Sequence, residues 1–477
     1  MSEVARPAFP VGATEPSSAR ALIVSAFFGL VAGCLLAFLP PEIGLGLALI
    51  GVVCFLALVR PPAAFVAVAA ALPFYHLATA EVVPRLRLSA LELAGAVLLA
   101  GLMLPRRKPL APSLKRLPFQ FWLLVCLLAW AVASALMTPF SQKETLMATK
   151  PFMAVLVFWF LTFTFARRRK WFSLLVTALL VGTICAQGFG LTQAVTRARR
   201  GVRGVPLPEI TEARGSKPLA RRGVRVLGVT VDPNLYAYAS VVTLPLCLAA
   251  FVASRRRRIP WAAAGAALAA ALVTSYSRGA LIAAVAALGW FVLHATRFRL
   301  LAISAVVLVV IAVAAAAPEM YVRRMKQLAT GQLDRSVRQR WTYGVLAVQT
   351  AASHPLFGIG TGNFAKVNPR RQMVHNTYLE MGTELGWPAL GAFLALLALT
   401  MRDLSRASGS LVRSGQTREA LLVRAVESAL VGTMVFWLFF SMFGHKTAWF
   451  LLSAAAASPV AFAAPRANRA PGLNRAA

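Results

Sequence analysis

The densest collection of groups able to do chemistry lies between Pro318 and Leu385, in the longest interruption between apolar runs. It opens with Arg323, Arg324 and Lys326, then carries Arg335, Arg338 and Arg340 just ahead of Trp341. A glycine-rich turn follows, Gly358-Ile359-Gly360-Thr361-Gly362, and the stretch closes on His375-Asn376 before Tyr378, Glu380 and Glu384. Guanidinium forks bind phosphate oxygens two at a time. A histidine near its ordinary pKa can take a proton from a hydroxyl nucleophile. His375 is therefore the candidate acid–base group, with Asn376 beside it and Glu384 on the following helix as secondary candidates. Glu380 and Glu384, four apart, share one face of that helix. A loop this long is usually functional or disordered, and the aromatic and apolar residues spread through it argue against disorder.

A second cation stands apart from this stretch. Arg278, in Ser275-Tyr276-Ser277-Arg278-Gly279, sits between two apolar runs with almost no loop. A charge drawn toward a bilayer costs about 2.5–3.5 kcal/mol on insertion scales, so such residues tend to be paired or functional. Arg278, Arg340 and Arg338 are the candidate phosphate-binding groups. The plainer roles are an arginine snorkelling to headgroups, an interfacial anchor for Arg338, and a histidine hydrogen-bonded at a helix start. The triple-glycine turn lacks the strand–turn–helix context of a dinucleotide site and reads more simply as a turn. No Ser-His-Asp grouping is evident, and no paired aspartates suggest a divalent metal. Glu92, inside an apolar run, is a candidate by position and has no visible partner in the sequence.

The elements that must position these groups are membrane helices. The 477 residues are 58% hydrophobic and 14% charged, with mean hydropathy +0.69, far from soluble composition. About fourteen runs approach the ~20 apolar residues that cross a bilayer. They run Ala21–Leu39, Ile43–Val59, Ala63–Ala80, Ser89–Leu104, Phe119–Met137, Pro151–Ala166 and Trp171–Leu191. Asn234–Ala253, Pro260–Ser275, Gly279–His294, Arg299–Ala317, Thr383–Met401, Val423–Phe443 and Thr447–Ala464 complete the set. The fold expected is all-α and polytopic, with about 12–14 transmembrane helices and a large loop outside the cytoplasm. Trp341, Val345, Val348 and Ala352 recur at helical spacing, which predicts an amphipathic helix lying in the interface.

Charge alternation orients the chain. Arg60, Arg106 to Lys108 with Lys115-Arg116, Arg167 to Lys170, Arg255 to Arg258, Arg297 with Arg299, and Arg402 to Arg418 occupy every second connection. That places both termini in the cytoplasm. Arg278, Arg338, Arg340, His375 and His445 then share the opposite, non-cytoplasmic face. The chain divides into a tail over 1–20, helices over 21–191, a basic non-cytoplasmic loop over 192–233, a membrane domain over 234–464 that includes loop 318–382, and a tail over 465–477. The formal charge of +34 sits in short clusters between apolar runs, with no nucleic-acid module. It points to membrane lipids and phosphate, and not to nucleic acid. The five cysteines lie in apolar runs without ligand spacing and read as buried hydrophobes.

At these residues the sequence resembles the O-antigen ligase and O-antigen polymerase superfamily of bacterial membrane glycosyltransferases. The matching pieces are Val231-Asp232-Pro233-Asn234, Ser277-Arg278-Gly279, Arg340-Trp341, Pro355 to Phe364, His375-Asn376-Thr377-Tyr378-Leu379 and Glu384-Leu385-Gly386. The resemblance implies transfer of glycan from an undecaprenyl-diphosphate donor at the periplasmic face, without a metal, cofactor or nucleotide sugar. It implies that Arg278 and Arg340 bind the pyrophosphate and that His375 activates or orients the acceptor hydroxyl. The acceptor would be a glycan, a lipid A-core or a protein, and a one-step displacement inverts the anomeric carbon. Two other classes remain as readings: a flippase of lipid-linked oligosaccharide, and a non-catalytic assembly subunit. A flippase should carry mid-membrane charges and inverted repeats, whereas these charges crowd one surface.

Overall fold

In the computed structural model of this chain, residues 51–57, 59–74, 79–83, 86–103, 112–195, 226, 228–230, 232–254, 256–294, 299–304, 306–307 and 335–463 are described. The expected tail 1–20, the run Ala21–Leu39, most of Ile43–Val59, the cations from Arg197 to Arg225, loop 318–382 as far as residue 334, and tail 465–477 lie outside them.

The described chain is a helical bundle, and it is a multi-pass membrane protein. Its helices are α1 (Pro61–Ala71), α2 (Ala90–Met103), α3 (Phe119–Leu136), α4 (Gln142–Ala148), α5 (Lys150–Ala166), α6 (Arg169–Val195) and α7 (Pro233–Ala253). They continue as α8 (Arg258–Thr274), α9 (Arg278–His294), α10 (Arg335–Ser353), α11 (Phe364–Val367), α12 (Thr377–Arg413), α13 (Thr417–Phe436) and α14 (Lys446–Ala461). Five helical segments are long and apolar enough to cross a membrane: Phe119–Leu136, Gln142–Ala166, Arg169–Thr192, Pro233–Ala253 and Thr377–Arg413. Shorter apolar helices cover Pro61–Phe74, Ala90–Met103, Arg258–Thr274 and Arg278–His294.

Two expected boundaries were wrong. The run Ala63–Ala80 leaves the α-helix after Ala71, passes through a 3₁₀ turn at Leu72–Phe74, and enters a two-stranded antiparallel hairpin, β1 (Thr79–Val83) with β2 (Leu86–Ser89). Pro73 explains the stop, since it lacks the N–H that a continuing helix needs. The run Val423–Phe443 overshoots too: α13 ends at Phe436 and residues 437–445 turn back across the bundle end. Their hydropathy is that of a span, but their carbonyls are claimed by another helix, as described below.

Helix α7 is apolar all round and buried on all sides, as expected of a central helix. It packs against α8, α9 and α13, while α12 packs against α3, α13 and α14 and α5 packs against α14. Small residues allow the close crossings. A Cβ on Gly432 would stand 2.8 Å from Val241 of α7 and 2.9 Å from Ala287 of α9, so any larger residue would force three helices apart.

The bundle has two chemically different ends. At one, the Arg169 guanidinium pairs with Glu419, tying the α5–α6 connection to the start of α13. There too Gln120 Nε2 donates to Asp403 Oδ2 at 2.6 Å. The described cations of the alternating set, Arg60, Lys115, Arg116, Arg167 to Lys170, Arg256 to Arg258, Arg299 and Arg402 to Arg418, belong to this end by helix direction. The opposite end collects the starts of α2, α5, α7, α9, α12 and α14.

Candidate functional site

The site is built where α7, α9 and α12 begin. Asp232 caps α7: its Oδ1 accepts from the backbone N–H of Asn234 at 2.6 Å, with Pro233 at the first helical position. Asn234 Oδ1 in turn accepts the Ser277 hydroxyl at 2.8 Å. Ser277 Oγ also receives the Ala280 N–H at 3.4 Å, so it stands as the cap of α9 and leaves Arg278 as that helix's first residue. The expected tight connection is real, because only Ser275 to Ser277 separate α8 from α9. Arg278 is half-buried at a positive helix N-terminus, an arrangement suited to an anion.

His375 is fixed by the chain around it. Asn376 caps α12, its Oδ1 accepting from Tyr378 N at 2.9 Å and Leu379 N at 3.0 Å. Asn376 Nδ2 donates to Leu438 O at 3.2 Å, Thr377 N to Trp437 O at 2.9 Å, and Thr377 Oγ1 to Phe440 O at 2.8 Å. Met442 N closes the set by donating to Thr377 Oγ1 at 3.2 Å. Residues 437–442 thus form a belt strapped to the start of α12. Phe440 lies against His375 at 6.1 Å between ring centroids. The preceding Phe439 lies against Gly279, where a Cβ would stand 2.7 Å away, so only glycine permits that approach. Through two consecutive phenylalanines, the belt brings the start of α9 to the start of α12.

Two charges complete the site. Burial first, and the Arg340 guanidinium second, push His375 below the ordinary histidine pKa, while Asp232 pulls it back up. Burial and Arg340 both favour the neutral imidazole, the form that accepts a proton. Arg340 and Asp232 belong to elements far from His375 in the chain, and both act on its imidazole. His375 also holds φ +58 and Tyr276 φ +56, a left-handed backbone uncommon for non-glycine residues. Such outliers cluster at functional sites, where surrounding contacts hold them.

Other expected residues lie nearby with different duties. Arg338 is exposed on α10. That helix has two faces: Tyr343, Ala347 and Ala351 are buried, while Trp341, Val345 and Val348 are exposed as the expected interfacial stripe. Glu384 is buried, its Oε2 accepting from Gly362 N at 2.7 Å and its Oε1 from Phe364 N at 3.2 Å. Gly360 N donates to Glu384 O at 2.9 Å and Ile359 N to Thr383 O at 3.0 Å. The glycine turn is thus docked, backbone to backbone, on the kink that Gly386 makes in α12 with φ +84. Ser134, Thr138 and Thr145 of the α3–α4 region seal the same turn, with Asn363 Nδ2 reaching Thr145 Oγ1 at 2.8 Å. His445 is buried, its ring edge-on to Tyr238 at 5.2 Å.

Sequence reasoning gave no role to Asp232 or to the 437–442 belt. The Asp-Pro-Asn capping signature was the available signal for the first; nothing local marked the second. Glu92, which lacked a partner in the sequence, has three. It completes a capping box, accepting from Ser89 N at 2.7 Å, and it pairs with Lys150 at 3.5 Å and Lys446 at 3.3 Å.

Residues 263–394 match the family model described as O-antigen ligase, a stretch that holds Arg278, Arg340, His375 and Glu384. Asp232 and the 437–442 belt lie outside the matched segment. No curated protein matches the chain.

Proposed function

Taking the O-antigen ligase domain over residues 263–394 as premise, we propose that this membrane protein is a glycosyltransferase that moves oligosaccharide from an undecaprenyl-diphosphate donor to an acceptor hydroxyl. The reaction takes place at the periplasmic face, in surface polysaccharide synthesis, and the acceptor is a glycan, a lipid A-core or a protein. The observation that carries this reading is that Phe439 and Phe440 bring Gly279, next to Arg278, and His375 to one end of the bundle, where Arg340 and Asp232 both act on the imidazole.

The chemistry follows from those groups. The acceptor oxygen attacks the anomeric carbon, the bond from that carbon to the diphosphate oxygen breaks, and the configuration inverts. His375, held neutral, takes the proton of the attacking hydroxyl, an effect worth typically ~10²–10⁴-fold. Arg278 and Arg340 neutralise the charge that grows on the departing diphosphate, which is electrostatic stabilisation of the transition state. Asp232 faces the imidazolium that forms and offsets the repulsion from Arg340.

The test replaces His375, Arg278 and Arg340 separately by alanine in cells lacking the native gene. Surface glycan should shorten or vanish while lipid-linked repeats accumulate on the periplasmic leaflet. Full activity in all three variants would end the assignment. Substrate trapped on the cytoplasmic leaflet would instead identify a flippase.

A further inference from the structure

A groove of about 200 Å³ lies between α2 and α5, away from the site described above. Ala96 and Leu99 line it from α2, and Ala154, Val157 and Phe158 from α5. These positions recur every three or four residues on each helix, so each contributes one continuous stripe. The two alanines make the depression, buried Phe158 is its floor, and exposed Met153 flanks an open side. From Glu92 to Leu99 the groove runs roughly 10 Å along the helix, at ~1.5 Å rise per residue. Its polar end is lined by Glu92 and Lys150, with buried Lys446 pairing with Glu92 from behind, and it lies at the bundle end that carries His375.

We propose that this groove binds one acyl chain of an acidic phospholipid, with the lipid phosphate against Lys150. The walls are apolar along their whole length and polar only at one end, which is the shape of an amphiphile standing in one leaflet. Two ammonium groups around one carboxylate select an anionic head over a zwitterionic one. The open side suits a two-chain lipid, one chain seated and the other left in the bilayer. Lys446 follows His445, which packs on Tyr238 of α7, so the bound lipid would stand beside the site without being its substrate. The inference does not depend on the glycosyltransferase reading.

The test is native mass spectrometry of the full chain in detergent, with phosphatidylglycerol, phosphatidylcholine of matched chains, and undecaprenyl phosphate offered at equal mole fraction. Phosphatidylglycerol adducts should exceed phosphatidylcholine adducts about fivefold, the value of one lysine–anion contact near a membrane surface. Ala154→Phe, which fills the groove, should remove them, and Ala96→Phe should do the same from the facing wall where the side chain has room to fold. Lys150→Gln should abolish the preference between the two phospholipids. Unchanged phosphatidylglycerol binding in the groove-filling variants, equal binding of phosphatidylcholine to the parent protein, or displacement by undecaprenyl phosphate would each overturn the proposal.

Discussion

The ring of His375 lies 6.1 Å from that of Phe440, and the carbonyl of the same Phe440 accepts the hydroxyl of Thr377 at 2.8 Å. One residue of the belt therefore supports both the candidate base and the helix that follows it. The imidazole is positioned by a segment that hydropathy assigns to a membrane span.

His375 should give the transfer reaction an acidic limb below the ordinary histidine range, because burial and Arg340 both disfavour its protonated form. The neutral ring is the active form, so activity is present above its pKa and is lost as pH falls through it. Arg340→Gln removes a repulsive charge and should move this limb to higher pH. Asp232→Asn removes an attractive one and should move it lower. Transfer rate against pH, on purified protein with a lipid-linked donor, checks both signs; a limb that ignores both substitutions would exclude His375 as the titrating group.

Arg278→Lys and Arg340→Lys should fail to restore transfer. A planar guanidinium grips two phosphate oxygens at once, and an ammonium meets them as a point charge. Loss of one such contact is expected to lower turnover about 10²–10³-fold, as for other donors to a developing anion. Turnover by the lysine variants within about twofold of the parent would show that charge alone suffices.

Thr377→Val keeps the shape of the side chain and deletes one donor and one acceptor. Phe440 O and Met442 N lose their partner, the buried Met442 N at about 1–3 kcal/mol and the part-buried Phe440 O at less. Thermal unfolding in detergent should register the loss. Transfer should fall while the acidic limb stays in place, since neither charge near His375 has changed.

Glu384 should prove a positioning residue. Glu384→Ala frees the N–H groups of Gly362 and Phe364, whereas Glu384→Gln keeps an oxygen for one of them. The alanine variant should be less stable by about 1–3 kcal/mol and more open to proteolysis near Gly360. Gln should retain most of the fold and measurable transfer. If Gln were as inactive as His375→Ala with the fold intact, the carboxylate would have a chemical duty beyond the turn.

Single cysteines at exposed Met373 and at Arg418 should label from opposite sides of the membrane. An impermeant maleimide on intact spheroplasts is expected to reach Met373→Cys and to miss Arg418→Cys. The reverse pattern would invert the proposed orientation and put the candidate site in the cytoplasm.

How much of this was legible beforehand follows from what each signal depends on. Apolar runs marked α3, α5, α6 and α7 closely, because crossing a bilayer is a property of about twenty consecutive residues. The alternating cations sorted the connections into two groups, and the described cations of that set do gather at the end away from His375. The amphipathic stripe of α10 was readable because helical periodicity is local. Tertiary structure decided the rest. Asp232 comes to act on His375, and Glu92 to pair with Lys446, only once elements distant in sequence have packed, and Glu384 takes the Gly362 amide only once the glycine turn docks on α12. A contact between residues far apart in the chain leaves no spacing to read. Hydropathy also misjudged residues 437–445, a segment apolar enough to cross the membrane that instead lends its carbonyls to Asn376 and Thr377.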